Sequence, residues 1–219
     1  EIAQAHKSGD IHLHDLSMLT GYCAGWSLKQ LIQEGLGGIP GKITSSPAGH
    51  LSTLCNQMVN FLGIMQNEWA GAQAFSSFDT YLAPFVKVDN LTQKEVKQCI
   101  QSFVYGVNTP SRWGTQAPFS NITLDWVCPP DLADLPAIVG GKEMDFTYGD
   151  CKKEMDMVNK AFIEIMIEGD ANGRGFQYPI PTYSITRDFD WSETENNKLL
   201  FEMTAKYGTP YFSNYINSD

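Results

Sequence analysis

The sequence predicts a parallel β/α fold, built either as a barrel or as an open sheet. Three observations support this prediction. Strand-like and helix-like segments alternate along the chain, four strand-like segments mix polar with apolar residues, and 42% of the 219 residues are hydrophobic. A chain of this length should bury roughly 70% of its unfolded surface, which requires a sizeable core. We therefore expect one domain over residues 1–219, with strand ends that line a cavity.

The first half of the chain predicts one strand and a series of helices. Residues 1–8 resemble the end of a helix stopped by Gly9, and residues 10–15 resemble a strand. Ser46 and Pro47 predict a helix start, because Ser is a good N-cap and Pro suits the first helical position. The predicted helices cover residues 28–32, 47–62, about 68–86 with an end near Pro84, and 92–107, the last opened by a capping box.

The second half predicts three strands and two helices. Residues 119–126 alternate as a strand does, with Asn121 and Thr123 on the face opposite its apolar residues. Residues 128–149 are rich in Pro and Gly and predict an irregular excursion. The remaining elements are a helix around 155–166 that ends at Gly169, an irregular strand over 176–186, a helix from a capping box at 192–195 to Gly208, and a last strand over 211–216.

Composition excludes several classes of protein. The net charge is −10 and the calculated isoelectric point is about 4.8. Without a basic patch, binding to a nucleic-acid backbone is not expected. We find no apolar run long enough to span a bilayer and no signal peptide, so we expect no membrane association and a cytoplasmic location. Because the chain opens on Glu1 without an initiator Met, we predict that it is a piece of a longer protein.

Two chemical interpretations compete for the segment Ile11-His12-Leu13-His14-Asp15 and the Cys23 that follows it. A His-x-His pair on an early strand could hold a catalytic metal, but such a site needs further ligands. Only two other histidines exist, His6 and His50, so a metal site is disfavoured, and a Ser-His-Asp triad is short of histidines as well.

The second interpretation is a functional thiol. The five cysteines are odd in number and lack a Cys-x-x-Cys pair, which predicts reduced thiols rather than disulfides or a zinc ribbon. Cys55 and Cys99 fall in apolar helical stripes and are expected in the core, whereas Cys128 and Cys151 only flank the irregular excursion. Cys23 differs, because small and aromatic neighbours leave room beside its sulfur atom.

Two glycine-rich segments resemble functional loops without matching them. The loop at 35–43 lacks the Gly and the Ser or Thr that a phosphate-binding loop needs. The segment 173–176 resembles a glycyl-radical loop, but Arg174 directly precedes Gly175, so we interpret it as a turn.

Long blocks of the sequence resemble the anaerobic (class III) ribonucleoside-triphosphate reductases, which are glycyl-radical enzymes. The blocks are GDIHLHDL at 9–16, Cys23, SPAGHL at 46–51, VNFLG at 59–63, QNEWAGAQA at 66–74, GTQAPFSN at 114–121 and GTPYFSN at 208–214. Because they occur in order over nearly the whole chain, the likeness is far more specific than any single motif.

The resemblance implies a fold and a reaction. The fold would be part of the ten-stranded β/α barrel shared with pyruvate formate-lyase and the other ribonucleotide reductases. The reaction would reduce ribonucleoside triphosphates to 2′-deoxyribonucleoside triphosphates through a glycyl radical and a thiyl radical. A second cysteine, matching Cys23, would supply reducing equivalents, and formate would complete the reduction. A closed barrel suits radical chemistry because it excludes solvent.

The resemblance also implies site residues, partners and missing parts. Cys23 would be catalytic, and no metal is expected in this chain. The polar residues expected to hold ribose or phosphate are His14, Asp15, Ser46, Gln116 and Asn121.

Expected partners are the substrates, ATP and deoxynucleotide effectors, a radical-SAM activating enzyme and a second subunit, with residues 47–107 as the dimer and effector face. The thiyl cysteine, the radical glycine, a zinc site and the ATP cone would lie outside this chain, which alone should be inactive.

Three alternatives remain open at this point. The chain could belong to another glycyl-radical enzyme with a different small substrate. It could be a metal-dependent barrel hydrolase that uses His12 and His14. It could also be a non-catalytic module that acts in assembly or in nucleotide sensing.

Overall fold

The computed structural model describes residues 1–14, 16, 21–37, 40–41, 43–109 and 117–217. Its strands are β1 (Ala24–Trp26), β2 (Gln73–Phe75), β3 (Ser120–Leu124), β4 (Pro136–Val139), β5 (Lys142–Thr147), β6 (Ile180–Ile185) and β7 (Tyr211–Asn214). Five of them form one sheet in the order β1-β2-β3-β6-β7, and every pairing in it is parallel. The fold is therefore mixed α/β with a parallel sheet, as predicted. The described residues form an open sheet with β1 and β7 at its edges, not a closed barrel.

Helices connect successive strands of the sheet. They are α1 (Ile2–Ser8), α2 (Leu28–Glu34), α3 (Leu51–Met65), α4 (Phe78–Val88), α5 (Gln93–Asn108), α6 (Pro130–Ala133), α7 (Lys152–Glu168) and α8 (Glu195–Tyr207). Among the described residues, no helix is long and apolar enough to cross a membrane.

The hydrophobic core lies between the helices and one face of the sheet. Phe75, Ile122, Leu124 and Tyr183 are fully buried on that face and belong to one cluster with side chains of the helices. Burial of side chains of this size stabilises a fold by about 1.5–3 kcal/mol each. Strand alternation then directs the intervening residues to the opposite face.

Several predicted elements are confirmed. Gly9 ends α1 in a left-handed conformation with φ of 86°, and Gly208 ends α8 with φ of 67°. The Thr92 capping box opens α5, with both reciprocal hydrogen bonds to Glu95 in place. The helices at α2 and α7 and the strands at β3, β6 and β7 also lie where the sequence predicts them. The capping box predicted at 192–195 is wrong, because Thr194 and not Ser192 is the N-cap of α8, and its side chain accepts a hydrogen bond from Asn197 N.

The predicted strand at 10–15 is wrong over its described residues. Residues 10–14 form no strand, and the side chains from Ile11 to His14 are exposed. Asp15 lies outside the described residues. Among the described residues, no strand pairs with the β-branched and aliphatic residues that suggested this one, and propensity alone does not form a strand.

The predictions for 47–62 and 68–86 need correction at their boundaries. The first helix begins at Leu51 with His50 as N-cap, because Ser45 pairs with Leu36 in an isolated bridge and holds the chain extended there. Residues 73–75 are a strand, and the following helix begins only at Phe78. Pro84 lies inside that helix instead of ending it.

The irregular excursion predicted at 128–149 is also wrong. It contains α6 and an antiparallel hairpin of β4 and β5. Gly140 and Gly141 connect these strands with φ values of 64° and 73°. Two consecutive positive φ angles are what a tight two-residue hairpin turn requires, and Gly supplies them without strain.

Candidate functional site

One face of the parallel sheet carries small and polar side chains. By register, this face also carries Ile180 and Tyr211, and its small and polar residues are Ala74 on β2, Asn121 and Thr123 on β3, and Thr182 and Ser184 on β6. They are partly exposed, and none of them belongs to the described hydrophobic cores. Parallel sheets normally have both faces covered, so an uncovered polar face favours a site that receives a ligand or another part of a protein. We call these residues, with Gly25 and Ser213, the polar face.

Cys23 lies directly before β1, at the amino edge of the sheet. It stands two positions before Gly25, so strand alternation places it on the same side as the polar face. Its thiol is exposed and free. The neighbouring backbone is close, since Ala24 N donates to Ala72 O at 3.0 Å and Gly71 N donates to Tyr22 O at 2.5 Å.

Gly71 makes room for that sulfur atom. A Cβ built on Gly71 would lie 2.8 Å from Cys23 Sγ and 2.6 Å from the Tyr22 carbonyl oxygen. Any larger residue at position 71 would therefore have to displace the thiol or the backbone beside it. The sequence analysis did not single out Gly71, although it lies in one of the resembling blocks.

One of the predicted polar residues lies on the polar face. Asn121 is half-buried there, and its Nδ2 donates to Thr182 Oγ1 at 3.3 Å. His14 lies near the amino edge, with its ring edge-on to the Tyr22 ring at a centroid distance of 6.2 Å. Gln116 and Asp15 lie outside the described residues.

Ser46, unlike Asn121, has no described contact with the polar face. It is exposed, and its carbonyl oxygen accepts a hydrogen bond from Gln57 Nε2 at 2.8 Å. The loop that contains it packs against Gly35, on the helical side of the molecule. No described contact links Ser46 with Cys23 or with the polar face.

The histidines near the amino edge lie close together. His12 Nε2 stands 3.4 Å from His14 Nδ1, and the His6 and His12 rings are 5.6 Å apart. Within the described ranges, no group of three or more His, Cys, Asp or Glu side chains is arranged to hold a metal ion. The hydrolase alternative, which needs at least three ligands, therefore has no support among these residues.

A cavity of about 620 Å³ opens at the carboxyl edge of the sheet. Three residues of the polar face, Thr123, Ser184 and Ser213, line it together with Asp125 and Tyr215. The carboxyl ends of parallel strands are where α/β proteins commonly bind ligands. The polar face thus runs from Cys23 at one edge to this cavity at the other.

Asp125 is the titratable group of that cavity. Burial, and after it the nearby Asp79 carboxylate, raise the pKa of Asp125 to about 7, although hydrogen bonds from the hydroxyl groups of Thr80 and Ser77 act in the opposite direction. Thr80 Oγ1 donates to Asp125 Oδ2 at 2.5 Å. A carboxyl group with such a pKa can take up or release a proton near neutral pH.

Asp79 ties α4 to the end of β3. Its fully buried carboxylate accepts hydrogen bonds from the backbone N–H groups of Asp125 at 2.8 Å and Trp126 at 2.9 Å, and from Asn159 Nδ2 at 2.8 Å. Burial raises the pKa of Asp79, and these N–H donors lower it. The contacts also hold Trp126 at a φ of 64°, which is unusual for a bulky residue.

Neither aspartate was predicted from the sequence. Asp125 is the last residue but one of the strand predicted at 119–126, and a carboxylate near the carboxyl end of a parallel strand was an available signal. Asp79 gave no such signal, because a lone acidic residue in the first turn of a helix is ordinary. Only the tertiary contact between α4 and β3 shows its role.

The other thiols lie in less reactive surroundings. Cys55 is buried in the core as predicted, and burial raises its pKa. Burial also raises the pKa values of Cys128 and Cys151 to about 12. Since the thiolate is the reactive form, these cysteines are poor nucleophiles. Cys99 is half-buried on α5, and its pKa is raised by burial as well.

Comparison with known families decides the membership of the chain. The family described as "Anaerobic ribonucleoside-triphosphate reductase" matches residues 1–219, which is the whole sequence. The chain belongs to the anaerobic ribonucleoside-triphosphate reductase family. Comparison with curated proteins finds no match.

Solved anaerobic ribonucleotide reductases share the fold. The enzyme from Thermotoga maritima in complex with dATP and CTP is 22% identical with a TM-score of 0.69, and the same enzyme with citrate in the active site is 23% identical with a TM-score of 0.72. Each alignment covers 100% of this chain, but only 37% and 39% of the Thermotoga chains. This member of the reductase family therefore spans less than two-fifths of their length.

Proposed function

We propose that this chain is part of an enzyme that reduces ribonucleoside triphosphates to 2′-deoxyribonucleoside triphosphates without oxygen, with Cys23 as the reducing thiol. One observation supports the assignment of Cys23 above all others. Its exposed sulfur atom stands at the amino edge of the sheet, on the side of the uncovered polar face. Membership of the reductase family supplies the reaction class.

The balance of the reaction defines what the thiol must do. Replacing the 2′-hydroxyl group by hydrogen takes two electrons and two protons and releases water. Cys23 would give one hydrogen atom and become a thiyl radical, and this radical would recover a hydrogen atom from formate. The radical left on formate would give up the second electron and leave as carbon dioxide, and the second proton would come from the surroundings. A thiol suits this step because it can release a hydrogen atom without a metal, and Cys23 is exposed.

The radical that starts the reaction would come from a glycyl radical elsewhere in the complete enzyme. The residues of this chain would bind and orient the nucleotide. Asn121 on the polar face and His14 at the amino edge are our candidates for contacts with ribose or phosphate, and Asp15, Ser46 and Gln116 stay as predictions from the resemblance. Covering the polar face with the remainder of a barrel would exclude water from the radical.

Nucleotides would act as substrates and as effectors. The Thermotoga maritima enzyme has been solved with dATP and CTP, and another of its structures has dATP in the specificity site. We propose that this chain contributes to binding of the same class of compounds, with helices between residues 47 and 107 at a subunit interface. A homodimer, a radical-SAM activating enzyme and a zinc site outside this chain belong to the same proposal.

Protection from alkylation tests whether Cys23 faces the substrate. The complete reductase is treated with iodoacetamide with and without CTP, and mass spectrometry quantifies labelling of each cysteine. We expect CTP to slow labelling of Cys23 and to leave the half-buried Cys99 unaffected. Equal labelling of Cys23 in both conditions would contradict a place beside the substrate.

A further inference from the structure

The ring of Trp69 lies directly against the backbone of Gly21. A Cβ built on Gly21 would overlap the six-membered ring of Trp69, whose Cη2 atom would be only 2.6 Å away. Glycine is therefore the residue that lets the ring take this position. Gly21 stands two positions before Cys23, so Trp69 covers the chain on the amino-terminal side of the thiol.

Trp69 also contacts the chain on the carboxyl-terminal side of Cys23. Its ring stands edge-on to the Trp26 ring, at a centroid distance of 5.6 Å and an interplanar angle of 88°, which is a favourable arrangement for two aromatic rings. Trp26 Nε1 donates to Gln73 Oε1 at 3.0 Å, and Gln73 Nε2 donates to Leu62 O at 3.2 Å. Trp26 is thus fixed between Trp69 and the fully buried Gln73.

The residues that follow Trp69 hold the backbone on both sides of Cys23. Three backbone hydrogen bonds join residues 21–24 to residues 70–72. Trp69 itself is attached to the end of α3, since its N–H group donates to Met65 O at 3.1 Å. The exposed thiol therefore lies on a segment that is fixed through Trp69 and its neighbours to a long helix.

We propose that Trp69 is a positioning residue for the Cys23 thiol. Because its ring lies against Gly21 and Trp26, on either side of Cys23, it limits the positions that the sulfur atom can reach. Transfer of a hydrogen atom needs close approach of the reacting groups, and a misplacement of about 1 Å can cost about 100-fold in rate. The importance of Trp69 for the reaction rests on the proposed function of Cys23 as the reductant.

Gly21→Ala in the complete reductase tests this role. The three atoms nearest to the new methyl group all belong to the Trp69 ring, so the ring or the segment around Cys23 must move. We expect kcat for CTP reduction to fall by up to about 100-fold with a much smaller change in KM, since the thiol and not the substrate is misplaced. The rate of alkylation of Cys23 by iodoacetamide should change, while that of the half-buried Cys99 should not. Labelling of Cys99 that rises in step with that of Cys23 would show a general loosening of the fold and overturn a positioning role.

The double variant Gly21→Ala/Trp69→Phe makes the result decisive. The smaller ring of Phe leaves room for the methyl group, so we expect the double variant to recover most of the lost kcat and the parent rate of Cys23 alkylation. A double variant no more active than Gly21→Ala would overturn the role of Trp69. Gly63→Ala, whose Cβ meets nothing within 4 Å, should leave the alkylation of Cys23 unchanged.

Alkylation of Cys23 does not require reductase activity, so the two proposals can fail separately. A changed alkylation rate in Gly21→Ala with an unchanged kcat would support the placement of the thiol by Trp69 and contradict the role of Cys23 as the reductant. An unchanged alkylation rate would overturn the placement itself.

Discussion

Gly71 and Cys23 approach each other so closely that a methyl group on Gly71 would stand 2.8 Å from the Cys23 sulfur atom. The same methyl group would lie 2.6 Å from the Tyr22 carbonyl oxygen, which is itself held by the Gly71 N–H group. The thiol can therefore occupy its observed position only because residue 71 has no side chain.

Replacing Gly71 by Ala should disturb Cys23. Because backbone lies on one side of the new methyl group, the sulfur atom must move, and we expect a changed rate of Cys23 alkylation and a loss of reductase activity in the complete enzyme. Gly63→Ala is the matched control, since a Cβ at Gly63 meets nothing within 4 Å. Unchanged alkylation and activity in Gly71→Ala would contradict this description of the site.

Asp79 should contribute strongly to stability. In Asp79→Asn, an amide group would face N–H groups that now donate to a carboxylate, leaving buried donors unsatisfied. We expect a loss of about 2–4 kcal/mol in the free energy of unfolding, measured by urea denaturation. Asp134→Asn, a change at an exposed aspartate after α6, should have little effect. If Asp79→Asn and Asp134→Asn had equal free energies of unfolding, the hydrogen bonds to the Asp79 carboxylate would not be needed for stability.

The raised pKa of Asp125 predicts a pH dependence of stability. Its pKa of about 7 in the folded state lies above its ordinary value of 3.8, so the folded protein binds more protons than the unfolded chain between these pH values. The contribution of Asp125 to stability is therefore present below about pH 4 and is lost as the pH rises toward 7. The carboxylates that face it are Asp79 and Asp131.

Asp125→Asn isolates this effect, because the amide does not titrate. We expect the difference in unfolding free energy between the variant and the parent protein to shift in favour of the variant from pH 4 to pH 7. Denaturation curves at a series of pH values measure it. A difference that stays constant over this range would exclude a raised pKa at Asp125.

The Thr92 capping box should stabilise α5. Thr92 accepts a hydrogen bond from Glu95 N, and Glu95 accepts one from Thr92 N at 2.8 Å. Thr92→Ala should lower the free energy of unfolding by about 1 kcal/mol. Ser102→Ala, in the exposed middle of the same helix, should be neutral or slightly stabilising. A larger loss in Ser102→Ala would argue that capping is not the cause.

The sequence predicts well those helices and strands whose ends or faces are determined by neighbouring residues. The capping box at Thr92 and the terminal Gly208 act through neighbouring residues, and both define helix ends in the structure. The alternation from Ser120 to Leu124 reflects one buried and one uncovered face, so it is visible without knowledge of the other strands.

The elements that the sequence misses depend on distant partners. β1 and β2 have three residues each, too few for a periodic pattern, and they exist because each pairs with a neighbour far along the chain. The residues at 10–14 have strand propensity, but no strand in the described part of the chain pairs with them, and they form no strand.

Some features of the candidate site could likewise be predicted from the sequence, and others could not. Cys23 and Asn121 could be predicted because they stand in recognisable blocks, and the structure places Asn121 on the polar face and Cys23 on the same side by alternation. The link between Asp79 and Asp125 could not be predicted, since it joins two segments about 45 residues apart through backbone N–H groups.

The most direct test of the account is product analysis of Cys23→Ser in the complete reductase. Under strictly anaerobic conditions, we expect labelled CTP to give no deoxynucleotide, while electron paramagnetic resonance still shows a normal glycyl radical. Cys99→Ser, on the half-buried face of α5, should keep its activity. Full deoxynucleotide formation by Cys23→Ser would contradict the role of this thiol as the reductant.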